Sequence, residues 1–192
     1  EDRAFPTLKK MIFNGASAQR NSHLIELEGR QWFIDNYSHH GHVVLIGAGH
    51  VALEVAKLAH AADFKVTVCD EREDFANFKR FPHADAVQVI SGFSHIFSKI
   101  FVSIDTFIVI LTYSHVYDQT VLEQSLRTEA RYIGMIGSLR KKEMIYNNLR
   151  LVGITDNQLN KVHCPIGLEI GAEAPCEIGV SSVADLIKER VN

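Results

Sequence analysis

Val43-Val44-Leu45-Ile46-Gly47-Ala48-Gly49-His50-Val51-Ala52 decides how this chain is read. An aliphatic run broken at once by glycine suits a strand buried in the interior of a parallel sheet. Gly47 and Gly49 lack Cβ atoms, so the backbone can turn sharply there and approach a bulky anion. Ala52 takes the third place of a G-x-G-x-x-G/A pattern, where a small residue lets the next helix pack closely on the strand. Ala48, His50 and Val51 complete the turn. The helix that follows aims its free N–H groups and positive dipole end at whatever occupies that turn.

The flanking sequence carries the motif further. Val51, Ala52, Val55, Leu58, Ala59 and Ala62 fall on one helical face. A second strand, Lys65-Val66-Thr67-Val68-Cys69, ends at Asp70, about 20 residues beyond Gly49, where an acid can accept bonds from a ribose diol. Arg72 stands just beyond; it is read either as stacking on an adenine or meeting an extra phosphate, or as a solvated surface charge. Strand, turn, helix, strand and acid in this order favour nucleotide binding over a purely structural glycine turn.

Composition sets the outer bounds. At 192 residues the chain can form one full core, or one domain plus an appendage. A formal net charge of −3 argues against a general nucleic-acid binder. The longest apolar stretch, Phe107 to Leu111, is too short to cross a bilayer, and no charged leader precedes an apolar region, so no membrane partner is expected. Three widely spaced cysteines, Cys69, Cys164 and Cys176, suit a reduced cytoplasmic protein. Because the sequence opens at Glu1 without methionine, it is expected to be part of a longer chain.

Residues 1–40 are expected to form a separate N-terminal extension, and 41–192 the nucleotide-binding domain. In the extension, Lys9 to Phe13 reads as helix, and His23–Leu27 with Arg30–Ile34 as a hairpin turning at Glu28-Gly29. Ser38-His39-His40-Gly41-His42 reads as a polar linker, with no cysteine or carboxylate at ligand spacing, so no metal site is expected. Val87–Ile90 reads as a third strand, Phe93–Ile100 as a short helix, and Thr106–Leu111 as the most strongly buried strand of the second half.

That strand runs into Thr112-Tyr113-Ser114-His115-Val116-Tyr117-Asp118. Polar residues just past the carboxyl end of a parallel strand stand where open α/β sheets bind ligands. His115 and Asp118 serve there either function or helix capping. The strand Arg131–Ile136 ends in a second glycine-hydroxyl turn, Gly137-Ser138, followed by Arg140, Lys141 and Lys142. Ser138 can cap the next helix and the basic residues can draw in an anion. Gly153 ends that helix and Thr155 can start a short new one. His163 to Pro175 reads as a shaped loop before a final helix from about Cys176 to Arg190.

Several motifs then fall in a familiar order: Gly47-Ala48-Gly49-His50-Val51-Ala52, Arg80-Phe81-Pro82-x-Ala84-Asp85, Tyr132-Ile133-Gly134-Met135-Ile136-Gly137-Ser138, Pro165-Ile166-Gly167-Leu168-x-Ile170-Gly171-Ala172, Pro175-x-Glu177-Ile178 and Val180-Ser181. Together, over about residues 42 to 190, they resemble the C-terminal Rossmann domain of the xanthine dehydrogenase accessory-factor (XdhC/CoxI) family. The resemblance implies a maturation factor, more an accessory protein than an enzyme, that binds the molybdenum cofactor, keeps it ready for sulfuration and hands it to a molybdenum hydroxylase apo-enzyme. A cysteine desulfurase and a second copy of the chain are further candidate partners.

The expected architecture is a Rossmann-like α/β fold: an open, mostly parallel sheet in order 3-2-1-4-5 with helices on both faces and a small N-terminal appendage. The bound cofactor is expected to be a molybdopterin dinucleotide or NAD(P), which the fold alone does not separate. Gly47, Ala48, Gly49, His50 and Val51 would line the first phosphate turn, with Asp70 on a ribose hydroxyl and Arg72 beside it. Gly137, Ser138 and Arg140 would form a second anion site, with His115 and Glu177 toward the pterin end, Thr112 also among the cofactor-binding residues, and no catalytic residue. The rivals are an NAD(P)-dependent oxidoreductase using His115 as proton donor, although no Tyr-x-x-x-Lys pair accompanies it, and a nucleotide-sensing regulatory domain.

Overall fold

A computed structural model describes residues 23–27, 29–34 and 41–191. The chain divides into two compact units, Glu1–His39 and His40–Asn192. In the first, β1 (His23–Leu27) and β2 (Arg30–Ile34) pair antiparallel with Leu27 opposite Arg30. Gly29, at φ +70°, makes the turn in the left-handed region that glycine enters without strain. The hairpin is the one the sequence implies. The helix expected over Lys9–Phe13 and the linker residues Ser38, His39 and His40 lie outside the described residues.

The second unit is built on β3 (His42–Ile46), α1 (His50–Ala61), β4 (Lys65–Asp70), β5 (Ala86–Val89), β6 (Thr106–Ile110), α2 (His115–Ser125), β7 (Tyr132–Met135), α3 (Leu139–Leu151), α4 (Asp156–Leu159), β8 (Val162–His163) and α5 (Pro175–Val191). Its six strands are all parallel, in order β5-β4-β3-β6-β7-β8. The expected order 3-2-1-4-5 is present, and the two-residue β8 extends it by one strand. Such a short strand leaves no periodic trace in the sequence.

The central strands are buried on both faces, so their sequences are continuously apolar rather than alternating. Val43 and Leu45 of β3 join Val66, Val68, Phe107 and Val109 under α1 and α5. Val44 and Ile46 join Ile108 and Ile110 under α2 and α3, with Val121, Leu122, Ile145 and Leu149. Each of these fully buried side chains contributes roughly 1.5–3 kcal/mol by leaving water. Helices α1 and α5 run parallel. A Cβ on Gly179 would stand 2.8 Å from Glu54 Cβ, and Arg190 Nη1 donates to Ala62 O at 2.8 Å at the other end.

Two local expectations are corrected. His42 belongs to β3 rather than to the linker, and its Nε2 lies 2.8 Å from Thr67 Oγ1; burial first, then Lys65, lowers its pKa. The segment 93–100 holds only a 3-10 turn at Ile96–Ser98. His95 precedes it at φ +58°, and Ile96 N–H donates to the Gln124 side chain instead of to a helical carbonyl. Thr155 opens α4 through a reciprocal capping box with Gln158.

Candidate functional site at the carboxyl edge of the sheet

Because every strand of the sheet is parallel, the turns after β3, β6 and β7 share one edge. The two glycines of the first turn are needed for different reasons. Gly47 has φ +112°, and a Cβ there would lie 2.2 Å from Leu111 O, so the chain's own crossing from β3 past β6 demands it. Gly49 has an ordinary φ of −75° and nothing within 4 Å of a built Cβ. No neighbour in the fold requires a glycine there; the space belongs to the cleft. Gly49 is also the N-cap of α1, with no side chain capping that end and no acid in its first turn. The helix therefore presents uncompensated N–H groups and its positive dipole end.

The cleft holds about 370 Å³ and opens between the α1 N-terminus and the turn after β6. Gly49, His50, Val51, Arg72 and Thr112 line it, joined by Phe75, Tyr113, Leu111 and Ile136. Gly47 and Ala48 are not part of the lining, and their N–H groups are engaged within the fold: Gly47 N–H donates to Cys69 O and Ala48 N–H to Asp70 Oδ2, each at 2.8 Å.

Asp70 is 0% exposed, and its carboxylate is filled by its own chain. Oδ2 accepts from Ala48 N–H and Arg72 Nη2, both at 2.8 Å, while Oδ1 accepts from Arg72 N–H at 3.0 Å and Nε at 2.9 Å. Burial works against its ionisation, but the Arg72 guanidinium and the two backbone donors outweigh that and hold the carboxyl below its ordinary pKa. A ribose reaches this acid only where Arg72 swings away. Arg72 itself lies 3.9 Å over the Phe75 ring and 4.4 Å over the Tyr113 ring. Arg80 stands 4.9 Å over the same Phe75, and its Nη2 donates to Ala48 O at 3.4 Å. Tyr113 O–H donates to Glu71, which pushes the phenol pKa up and ties the turn after β6 to the turn after β4.

The second turn is built differently. Ser138 caps α3, its Oγ accepting from Lys141 N–H at 3.2 Å. The Lys141 stem covers Gly137, with Cδ 2.9 Å from a built Cβ, and its Nζ donates to Ile136 O at 3.1 Å and pairs with buried Asp118. Asp118 Oδ1 in turn accepts from Thr112 N–H at 3.1 Å and Thr112 Oγ1 at 2.7 Å. The ammonium thus sits in the bend and already has its anion. Arg140 is exposed on the outer side, and His115, the first residue of α2, is exposed behind the Ser114 cap. Glu177 folds back over the start of α5, where its Oε2 accepts from Glu173 and Ala174 N–H at 2.9 Å and these bonds lower its pKa.

The structure therefore gathers Gly49, His50, Val51, Arg72 and Thr112 at one cleft, and places His115, Gly137, Ser138, Arg140 and Glu177 outside its lining. Sequence reading missed Phe75, Arg80 and Tyr113. The Arg-Phe-Pro segment and the tyrosine after β6 were visible, but nothing in their spacing showed that they meet Arg72. The loop from Cys164 to Ala174 is pinned: Ile166 N–H donates to Met135 O at 3.0 Å, and Ser181 Oγ to Leu168 O at 2.6 Å. Burial pushes the Cys164 thiol up to about 11 and the Cys69 thiol to about 12, so neither is a ready thiolate near neutral pH.

A parallel sheet, a glycine turn and an open helix end at the strand-order reversal are common to many dinucleotide-binding folds. The sequence over them is more specific: the model of the XdhC Rossmann domain matches residues 43–186. The chain belongs to the XdhC Rossmann-domain family. Over 159 residues it is 30% identical to a probable xanthine dehydrogenase subunit of Bacillus subtilis (strain 168), covering 82% of this chain and 46% of that protein. Over 193 residues it is 26% identical to the uncharacterized protein YqeB of Escherichia coli (strain K12), covering 99% of this chain and 35% of that one. A crystal structure of a xanthine dehydrogenase from Bacillus halodurans superposes with a TM-score of 0.68 at 31% identity, over 78% of this chain and 42% of that chain. The chain thus spans less than half the length of these relatives. Among the described residues, no helix of this XdhC domain is long and apolar enough to cross a membrane.

Proposed function

We propose that this XdhC domain serves the maturation of a molybdenum hydroxylase: it binds the molybdenum cofactor as a pterin dinucleotide and delivers it to a xanthine dehydrogenase-type apo-enzyme. One observation carries the reading. At Gly49 the chain keeps open space beside an uncapped helix end, in a cleft at the strand-order reversal. A diphosphate is the kind of group such a bend receives, since backbone N–H donors and the helix dipole both favour it. Apolar walls from Val51, Leu111 and Ile136 suit the ring system attached to it. The family relationship and the names carried by the relatives supply the hydroxylase.

Titration of the protein with molybdopterin dinucleotide, followed by transfer to a cofactor-free hydroxylase, tests the proposal. Saturable binding that Gly49→Ala weakens, together with recovery of hydroxylase activity, is the expected result. Tight binding of NAD(H) or NADP(H) with no affinity for the pterin dinucleotide would replace it with a nicotinamide-dependent reading. Hydride transfer to a carbonyl compound would then mark an oxidoreductase, and nucleotide-dependent partner binding a sensor.

A further inference from the structure

On the α1/α5 face, toward the amino edge of the sheet and away from the cleft, three side chains converge with no role in nucleotide binding. His163, Asp185 and Glu189 each bring one ligand-capable atom within 4.8 Å of the others. Asp185 and Glu189 stand four residues apart on α5, so they share a helical face. Asp185 is buried, its Oδ2 accepting from Tyr132 O–H at 2.7 Å and facing His163 Nδ1 at 2.9 Å. Glu189 is half-buried, and among the described residues it has no hydrogen-bond or ion-pair partner.

The charges at this place do not close. Two carboxylates and one imidazole lie together here, their ligand-capable atoms within 4.8 Å of one another. Lys188 acts on Asp185 only at a distance, without a direct contact. Among the described residues, no lysine or arginine forms an ion pair with either carboxylate. Partly buried carboxylates in this position are ordinarily paired or coordinate a metal.

We propose that His163, Asp185 and Glu189 form a three-ligand site for a divalent transition-metal ion of the Zn²⁺ class. Two ligand atoms on a tetrahedral ion with bonds of about 2.1 Å stand about 3.4 Å apart, so His163 Nδ1 and Asp185 Oδ2, 2.9 Å apart, open by about 0.5 Å to admit it. The ion replaces the direct Nδ1–Oδ2 contact, and a ring nitrogen that ligates it does so through its free lone pair. Tyr132 donates to Asp185 Oδ2 and its ring lies 4.4 Å from the His163 ring, tilted by 38°, so it helps hold both ligands in place. An imidazole beside two carboxylates selects zinc-like ions over magnesium or calcium, which prefer oxygen alone. The unfilled coordination positions face solvent, through the half-exposed side of His163.

The test is equilibrium binding of Zn²⁺ to the chelator-treated full chain, with Co²⁺ absorption as a second readout. One ion per chain is expected at this site, with visible Co²⁺ bands. Glu189→Gln is expected to weaken that binding by about tenfold or more. Since Glu189 has no partner to lose, the metal-free variant should unfold at the wild-type temperature or slightly above it. His163→Gln should abolish the Co²⁺ signal. The chain has ten histidines, so binding that both variants retain would mark adventitious histidine contacts and overturn the proposal. So would no binding at millimolar Zn²⁺, with His163 and Asp185 then a plain ion pair. Neither result bears on nucleotide binding at the opposite edge.

Discussion

Asp70 and Arg72 are joined by two parallel bonds, Nε to Oδ1 at 2.9 Å and Nη2 to Oδ2 at 2.8 Å, and the carboxylate they close is fully buried while the guanidinium is 32% exposed. Breaking such a pair from the arginine side leaves a buried charge with its backbone donors alone. Arg72→Ala should therefore lose about 2 kcal/mol of stability in chemical denaturation. A loss under about 0.5 kcal/mol would place the pair with ordinary surface ion pairs.

The same pair sets a pH dependence. The folded-state pKa of Asp70 lies below its unfolded value. Its contribution to stability is thus complete above the unfolded value of about 3.9 and disappears as pH falls through the lower folded one. Wild type and Asp70→Asn should therefore differ most at neutral pH and converge in acid. Asp185 is also depressed: burial opposes its ionisation, but His163 and Tyr132 outweigh that, so a second acid-sensitive contribution survives in Asp70→Asn. Urea midpoints measured between pH 3 and 7 check the convergence.

Gly47 and Gly49 should separate folding from binding. Gly47→Ala places a Cβ 2.2 Å from Leu111 O at φ +112°, and is expected to cost roughly 3 kcal/mol or more. Gly49→Ala meets nothing within 4 Å, so its stability should stay within about 1 kcal/mol of wild type while ligand affinity falls by about tenfold or more. Thermal melts beside binding titrations distinguish the two. Equal loss of fold in both would remove the case for reserved space at Gly49.

Lys141 is expected to be structural. Lys141→Met strands Asp118, which is 0% exposed, and should cost about 3–5 kcal/mol. Adding Asp118→Asn should return much of that loss, giving a coupling of more than about 1 kcal/mol in a double-mutant cycle. Additive losses would mean that the ammonium serves a ligand instead.

The long apolar strands and the first glycine turn were legible because each obeys a local rule: Val43–Ile46 and Thr106–Leu111 are buried on both faces, and Gly47 must adopt positive φ. The edge strand β8 was not, because two residues carry no period. The site was half legible. Gly49, His50 and Val51 follow one another in sequence, so a motif could place them. Phe75 and Arg80 come from the loop after β4 and Tyr113 from the turn after β6, and only the folded sheet brings their rings and guanidiniums together. Lys141 reads in sequence as a free cation beside a glycine turn; its neutralising partner, Asp118, lies on another helix 23 positions back.

The lysine seated under the turn after β7 makes the sheet edge lopsided. One bend keeps open space beside Gly49, while its neighbour is filled by the Lys141 side chain. On the proposed function, a cofactor moored at the first bend would be tethered at a single point, with its far portion beyond the grip of the second. A receiving protein could seize that portion before the mooring lets go.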